Sequence, residues 1–282
     1  MLILRNNDGL SVFIANAEKA GRKIGFVPTM GALHEGHLAL IREAATLTDI
    51  VVCSIFVNPT QFNDPADLEK YPRPISRDIE LLHGTGCDIL FLPEVGEIYP
   101  QDIDTSLSIH PGRLAEVMEG EFRPGHFEGV MQVVHRLLDL VRPHILVMGQ
   151  KDYQQVAVVR YMLEATRSPV QLHMSATIRE ADGLAMSSRN VRLTPAFRAI
   201  APVICQTLAE ARELIGRMAP QEIMDQAIEQ LTAAGLTPEY FRIVDGMTLE
   251  EVSDPGQHEQ IVACTAAWAG DVRLIDNMVL RP

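Results

Sequence analysis

Ten consecutive residues, Pro28-Thr29-Met30-Gly31-Ala32-Leu33-His34-Glu35-Gly36-His37, constrain this chain more than any other stretch. The apolar run Ile24-Gly25-Phe26-Val27 before them suits a buried strand. Pro28 and Gly31 interrupt that run, and helical spacing resumes at Leu40, Ile41, Ala44 and Leu47. The interruption therefore falls at a strand's carboxyl end, where open α/β sheets bind ligands. A helix start also leaves backbone N–H groups unpaired and carries partial positive charge, and His34 and His37 share one of its faces. Such a turn suits a polyphosphate. Zinc is the competing chemistry for paired histidines, but His-Glu-x-x-His sets its imidazoles four apart. Here the offset is three with Gly36 inside, a poor match.

The same pattern recurs downstream. A helix is expected over about residues 10–20. The β-branched run from Ile50 to Val57 has the length of an interior parallel strand and ends in Asn58-Pro59-Thr60-Gln61-Phe62-Asn63, where Asn58 and Gln61 offer amide donors and acceptors. A helix over Ser76 to His83 and a short strand over Asp88 to Pro93 follow, giving a doubly wound parallel layout. The stretch from Pro100 to Phe127 is irregular; within it Arg123 and His126 sit in a Gly/Pro-rich loop that either reaches an anion or forms a structural turn. Val130, Val133, Val134, Leu137, Leu138 and Val141 make one apolar face of a helix from Gly129. A strand from His144 to Met148 then opens into Gly149-Gln150-Lys151-Asp152, with a helix toward Thr166 and a fifth strand at Val170 to Met174. Lys151 at a strand end is a natural phosphate contact, and Ser187-Ser188-Arg189 can wrap a phosphate or cap a helix.

From residue 177 the character changes. Thr194-Pro195 starts a helix, another spans about Pro220 to Ala234, and strands are expected around 241–244, 261–268 and 273–275. Helices followed by consecutive strands indicate a separate α+β unit. The boundary is placed at residue 176, dividing the chain into 1–176 and a smaller domain, 177–282, that closes over the site.

Composition narrows the partners. A net charge of −13 with no Lys/Arg-rich run argues against nucleic acid, whose phosphates demand surplus cations. Four scattered cysteines form no C-x-x-C pair, and neither a secretory signal nor a membrane-length apolar run is visible, which predicts a cytoplasmic protein. A parallel sheet brings the polar strand ends to one crevice, where two histidines, a lysine, a Ser-Ser-Arg group and two glutamines fit ATP and a small polar substrate.

The strings VPTMGALHEGH, SIFVNPTQF, EGEFRPGHFEGV, GQKDYQQ and MSSRN, with the closing AAWAGDVRLIDN, resemble the pantoate–β-alanine ligase family of the HxGH nucleotidyltransferase superfamily along essentially the whole chain. The resemblance implies a Rossmann-like first domain and an ATP-dependent condensation of (R)-pantoate with β-alanine through a pantoyl adenylate. AMP and pyrophosphate leave, and the enzyme is a Mg2+-dependent cytoplasmic homodimer. It further implies ATP contacts from Met30, Gly31, Ala32, Leu33, His34, Glu35, Gly36 and His37, with His37 the proton-donor position. Others come from Gly149, Gln150, Lys151 and Asp152, from Ile178, and from Met186, Ser187, Ser188 and Arg189. Gln61 would bind pantoate and β-alanine, and Gln155 pantoate.

The chemistry is compatible. A carboxylate with a pKa of about 4 is ionised at neutral pH, so attack on the α-phosphate needs alignment and charge stabilisation rather than a base. His34, His37, Lys151 and Arg189 are the candidates for that catalysis. Two other classes fit the same residues less fully: a nucleotidyltransferase that leaves AMP on its product, and a nucleotide-binding regulatory module without turnover.

Overall fold

The runs read as buried strands pair in parallel. In the computed structural model, which describes residues 1–61, 68–69 and 71–281, β2 (Ile24–Thr29) lies between β3 (Ile50–Ile55) and β5 (Ile145–Gly149). β4 (Ile89–Phe91) extends the sheet beyond β3, and β6 (Gln171–Ser175) extends it beyond β5. Phe62 and Asn63, assigned above to the polar segment after the Ile50 run, lie outside the described residues. The far edge is β1 (Leu2–Leu4), in register Leu2 with Ile89, a strand the sequence reading did not anticipate. Three residues are too few for a period to show.

Strand order is β1-β4-β3-β2-β5-β6, so the chain leaves β2 in one direction and returns to β5 on its other side. The crevice at that switch point lies beyond the carboxyl ends of β2 and β5, where ligands bind in open sheets. The β2–β5 register stops at Phe26 with Leu146, two residues before Pro28, whose ring has no N–H to extend a ladder. Meanwhile β2 stays in register with β3 through Thr29, whose hydroxyl donates to the Ser54 carbonyl at 2.8 Å. The strands thus part on one side only, beneath the turn that carries the histidines.

Alternating residues of these strands feed two apolar layers. Phe26, Val52 and Phe91 pack with Leu10 and Ile14 of the helix Asn7–Lys19 and with Val130 and Val134 of the helix His126–Val141. Val27, Val51 and Leu90 pack with Leu38 and Ile41 of the helix Glu35–Leu47 and Leu82 of the helix Ile75–Leu82. The helix expected from Gly129 begins at His126, and the Gly/Pro-rich loop before it contains a short turn of helix, Glu119–Phe122.

After β6 the chain builds an antiparallel sheet of β7 (Thr237–Asp245), β8 (Ile261–Ala269) and β9 (Val272–Arg281), covered by the helices Val203–Leu214 and Pro220–Ala233. Leu208, Ile223, Phe241, Ile243 and Ala263 form its own apolar core. β7 and β9 are longer than the strands expected at 241–244 and 273–275. A further cluster, with Tyr153 and Ala157 against Tyr240, Val262 and Cys264, joins the helix Tyr153–Ala165 to this sheet.

Candidate active site

The turn after β2 is shaped by two glycines. Gly31 has φ +83°, and a Cβ there would meet Ile55 at 3.0 Å and the Asp78 carboxylate at 3.1 Å. At Gly36 a Cβ would lie 2.9 Å from the His34 ring, which folds back over the helix start. His34 is the N-cap: its Nδ1 accepts the Gly36 N–H at 3.2 Å, and His37 Nδ1 accepts the His34 N–H at 3.3 Å. With both Nδ1 atoms acting as acceptors, the neutral rings carry their protons on Nε2. Burial, then the His34 and Lys151 neighbours, push His37 down to about 3. Burial, then the Lys151 charge, push His34 down to about 4. At neutral pH both are therefore uncharged N–H donors, and the charge stabilisation ascribed to them takes that form.

Both histidines line a cleft of about 580 Å³ at the switch point, together with Met30, Gln61, Lys151, Asp152, Gln155 and the loop Met186, Ser187, Ser188 and Arg189. The loop is folded by its own bonds. Ser187 Oγ accepts the Arg189 N–H at 3.2 Å, Asn190 Nδ2 donates to the Ala185 carbonyl at 3.0 Å, and the Met186 N–H donates to the Ile178 carbonyl at 3.0 Å. The two neighbouring glutamines differ. Gln154 Nε2 donates to the carbonyls of Leu114 and Val117 at 2.8 and 2.7 Å, and its Oε1 accepts the Glu119 N–H at 3.0 Å. Among the described residues, no partner takes the side-chain amides of Gln155 or Gln61, and both lie in the cleft.

Other residues assigned to ATP stand behind the wall. The N–H groups of Ala32 and Leu33 donate to the buried Asp78 carboxylate at 2.9 and 2.8 Å, so a side chain of the protein occupies donors that the sequence offered to a phosphate. Glu35 pairs with Arg42 on the exposed side of its helix. Gln150 Nε2 donates to Asn277 Oδ1 at 3.1 Å, and Asn277 Nδ2 donates to the carbonyls of Gln150 and Lys151 at 2.9 and 2.8 Å. Gly31, Gly36, Gly149 and Ile178 contribute backbone shape and do not line the cleft. Asn58 is also internal: its side chain meets Gly129, Thr60 and Tyr99.

The sequence reading missed the floor contributed by the second sheet. Arg273 donates to both oxygens of Glu119 at 2.8 and 2.7 Å and to Glu239 at 2.8 Å, while Tyr240 donates its hydroxyl to Glu119 at 2.8 Å. Glu119, Glu239 and Arg273 all line the cleft. Burial raises the Glu119 carboxyl, but its bonds to Arg273 outweigh that and hold it below the usual range. Both ends of this network lie inside strings that carried the resemblance, although local spacing gave no reason to pair them.

A family model described as pantoate-beta-alanine ligase matches residues 2–279. Pantothenate synthetases of Porphyromonas gingivalis and Bacteroides fragilis are 46% and 42% identical over 279 residues, covering 99% of this chain and 99% and 98% of their own. The solved pantothenate synthetase of Thermus thermophilus matches over 100% of both chains at 40% identity, with a TM-score of 0.92. The pantoate-beta-alanine ligase of Francisella tularensis, solved with beta-gamma ATP and beta-alanine, gives a TM-score of 0.81 at 34% identity over 99% and 98% of the chains. Sequence, sheet order and full-length likeness agree, and the chain belongs to the pantoate–β-alanine ligase family.

Proposed function

We propose that the switch-point cleft condenses (R)-pantoate with β-alanine, using ATP, through an enzyme-held pantoyl adenylate. In the first step a pantoate carboxylate oxygen bonds to the α-phosphorus and the bond to pyrophosphate breaks. In the second, the amine of β-alanine bonds to the acyl carbon, AMP leaves, and the nitrogen gives up its proton. The observation that carries this reading is the company of donors and amides in one cleft. His34 and His37 offer Nε2–H groups, Lys151 and Arg189 offer charge, and Gln61 and Gln155 present amides suited to hydroxyls and a carboxylate.

The residues have separable tasks. His34, His37 and Lys151 would hold phosphate oxygens and stabilise charge that builds up toward pyrophosphate, because fixed donors at a sheet's carboxyl edge need no reorganisation. Ser187, Ser188 and Arg189 close the phosphate side. Gln61 and Gln155 orient pantoate for in-line attack. Among the described residues no three His, Cys, Asp or Glu side chains gather as a metal cage. Nucleotide-bound Mg2+ asks for only one or two carboxylates beside phosphates and water. Asp152, half exposed in the cleft and 3.9 Å from Lys151, fits that requirement. Mg2+ there would neutralise negative charge on the polyphosphate.

The same proposal includes a division at residue 176, a second domain that closes over the site to exclude water from the adenylate, a homodimer and a cytoplasmic location. Separate apolar cores for the two sheets support the division. Among the described residues no helix is long and apolar enough to cross a membrane. The deciding experiment is ATP–pyrophosphate exchange with pantoate alone, followed by addition of β-alanine. Exchange, then free AMP in step with amide product, supports the reading. AMP retained on the product would favour a nucleotidyltransferase instead.

A further inference from the structure

The reaction scheme leaves Arg123, a cleft cation, without a task. It lines the main cleft and also a smaller pocket of about 40 Å³ that shares Gln155 and His126 with the cleft and is lined by Tyr240 as well. That is room for a few non-hydrogen atoms. The two buried carboxylates around this pocket have cations of their own. Glu119 receives Arg273 at 2.8 and 2.7 Å, and Asp276 receives Arg179 at 2.6 and 3.0 Å, whereas Asp152, half exposed, lies 3.9 Å from Lys151 and outside hydrogen-bond length. Arg123 approaches Glu119 at 3.9 Å, beyond hydrogen-bond length and on a carboxylate already held by Arg273 and Tyr240.

The surroundings disfavour a lone cation. Burial lowers the Arg123 pKa, Glu119 and, more weakly, Asp152 partly oppose this, and Arg189 and Arg273 repel the charge. An added anion would reverse that imbalance. His126 cannot supply it with a second cation. Its Nδ1 lies 3.0 Å from the Gln61 carbonyl, which can only accept, so the proton sits on Nδ1 and Nε2 is a bare acceptor. Burial, then Arg123, push the His126 pKa down to about 4.

Of the proposed substrates, one carries a carboxylate that takes no part in bond making. Pantoate's becomes the anhydride, whereas that of β-alanine stays ionised throughout and, inside a pocket, needs a fixed charged donor. We infer that Arg123 holds the carboxylate of β-alanine in this side pocket, directing its amine to the acyl group between Gln61 and Gln155 and selecting against amines without an acid. This rests on the ligase reading above.

The test compares wild type, Arg123→Gln and Arg123→Lys with β-alanine and with propylamine, which lacks the acid. For Arg123→Gln the KM for β-alanine should rise roughly 10- to 100-fold, as for loss of a charge-assisted pair. Its reaction with propylamine and its pantoate-dependent ATP–pyrophosphate exchange should stay near wild type, and Arg123→Lys should recover part of the loss. An unchanged β-alanine KM, an equal loss with propylamine, or loss of exchange in a folded variant overturns the assignment. Should the glutamine variant not fold, Arg123→Lys carries the comparison, since removing the planar fork should still raise the β-alanine KM selectively. Wild type that fails to exchange pyrophosphate with pantoate overturns the ligase reading instead, whatever the variants do.

Discussion

The side chain of His37 accepts the backbone N–H of His34 at 3.3 Å, while the ring of His34 accepts the N–H of Gly36 at 3.2 Å. Each ring thereby fixes the other's setting at the helix start, and their centroids lie 4.1 Å apart. The arrangement leaves two Nε2–H donors at the mouth of β2, held without net charge.

His37→Ala should lower kcat roughly 100-fold, as loss of one preorganised transition-state donor does, with the fold retained. Because the free-enzyme value of His37 is pushed down to about 3, kcat/KM should show no titration of this group between about pH 5.5 and 8. Steady-state kinetics across that range checks both points, and an unaltered kcat would remove His37 from the chemistry.

Gln61 and Gln155 should separate from ATP. Replacing either with Ala leaves a substrate polar group unpaired, worth about 1–3 kcal/mol, or roughly 5- to 150-fold in affinity. For Gln155→Ala the loss should fall on pantoate; for Gln61→Ala it should fall on pantoate and on use of the amine. Titrating ATP, pantoate and β-alanine separately tests the map, and a loss confined to ATP would overturn it. Gln154→Ala should behave differently, as a stability defect, because its amide bridges three backbone groups.

What could be read from the chain were features with a local period. The runs at Ile24 and Ile50, the apolar face from Val130 to Val141 and the polar strand ends at Pro28 and Gly149 all announced themselves within a few residues. The missed features are pairings across long separations. The Asp78 carboxylate that occupies the Ala32 and Leu33 amides comes from 46 and 45 residues away. Asn277, which holds the carbonyl of Lys151, lies 126 residues away, and Arg273 reaches Glu119 across 154. No spacing rule on one helix or strand reports such contacts. β1 escaped for the opposite reason, being too short to have a period.

Acid should destabilise the free protein in a definite window. His34 and His126 are pushed down to about 4 and His37 to about 3, so between the unfolded value of about 6.5 and those values the unfolded chain binds more protons. Stability is therefore lost as pH falls from about 6.5 and levels off near the folded values, by up to about 1.4 kcal/mol per pH unit for each histidine. His126→Asn, which can still donate to the Gln61 carbonyl, should flatten this slope in urea unfolding at a series of pH values. An unchanged slope would show that His126 protonates freely in the folded state.

The last prediction concerns the floor of the cleft. Arg273 and Glu119 are both well buried, with side chains 16% and 10% exposed, so their pair is not screened as a surface ion pair would be. Removing Arg273 alone leaves Glu119 with Tyr240 and a distant Arg123, an under-compensated charge in a poorly solvated place. Arg273→Met should therefore destabilise by about 3–5 kcal/mol. Replacing both ends, Arg273→Met with Glu119→Leu, removes the stranded charge and should recover much of that loss, although Tyr240 and Glu239 then lose a partner. Urea unfolding of the two single variants and the double variant measures the coupling. Additive losses would mean that the pair, despite its two short bonds, contributes no more than two independent side chains.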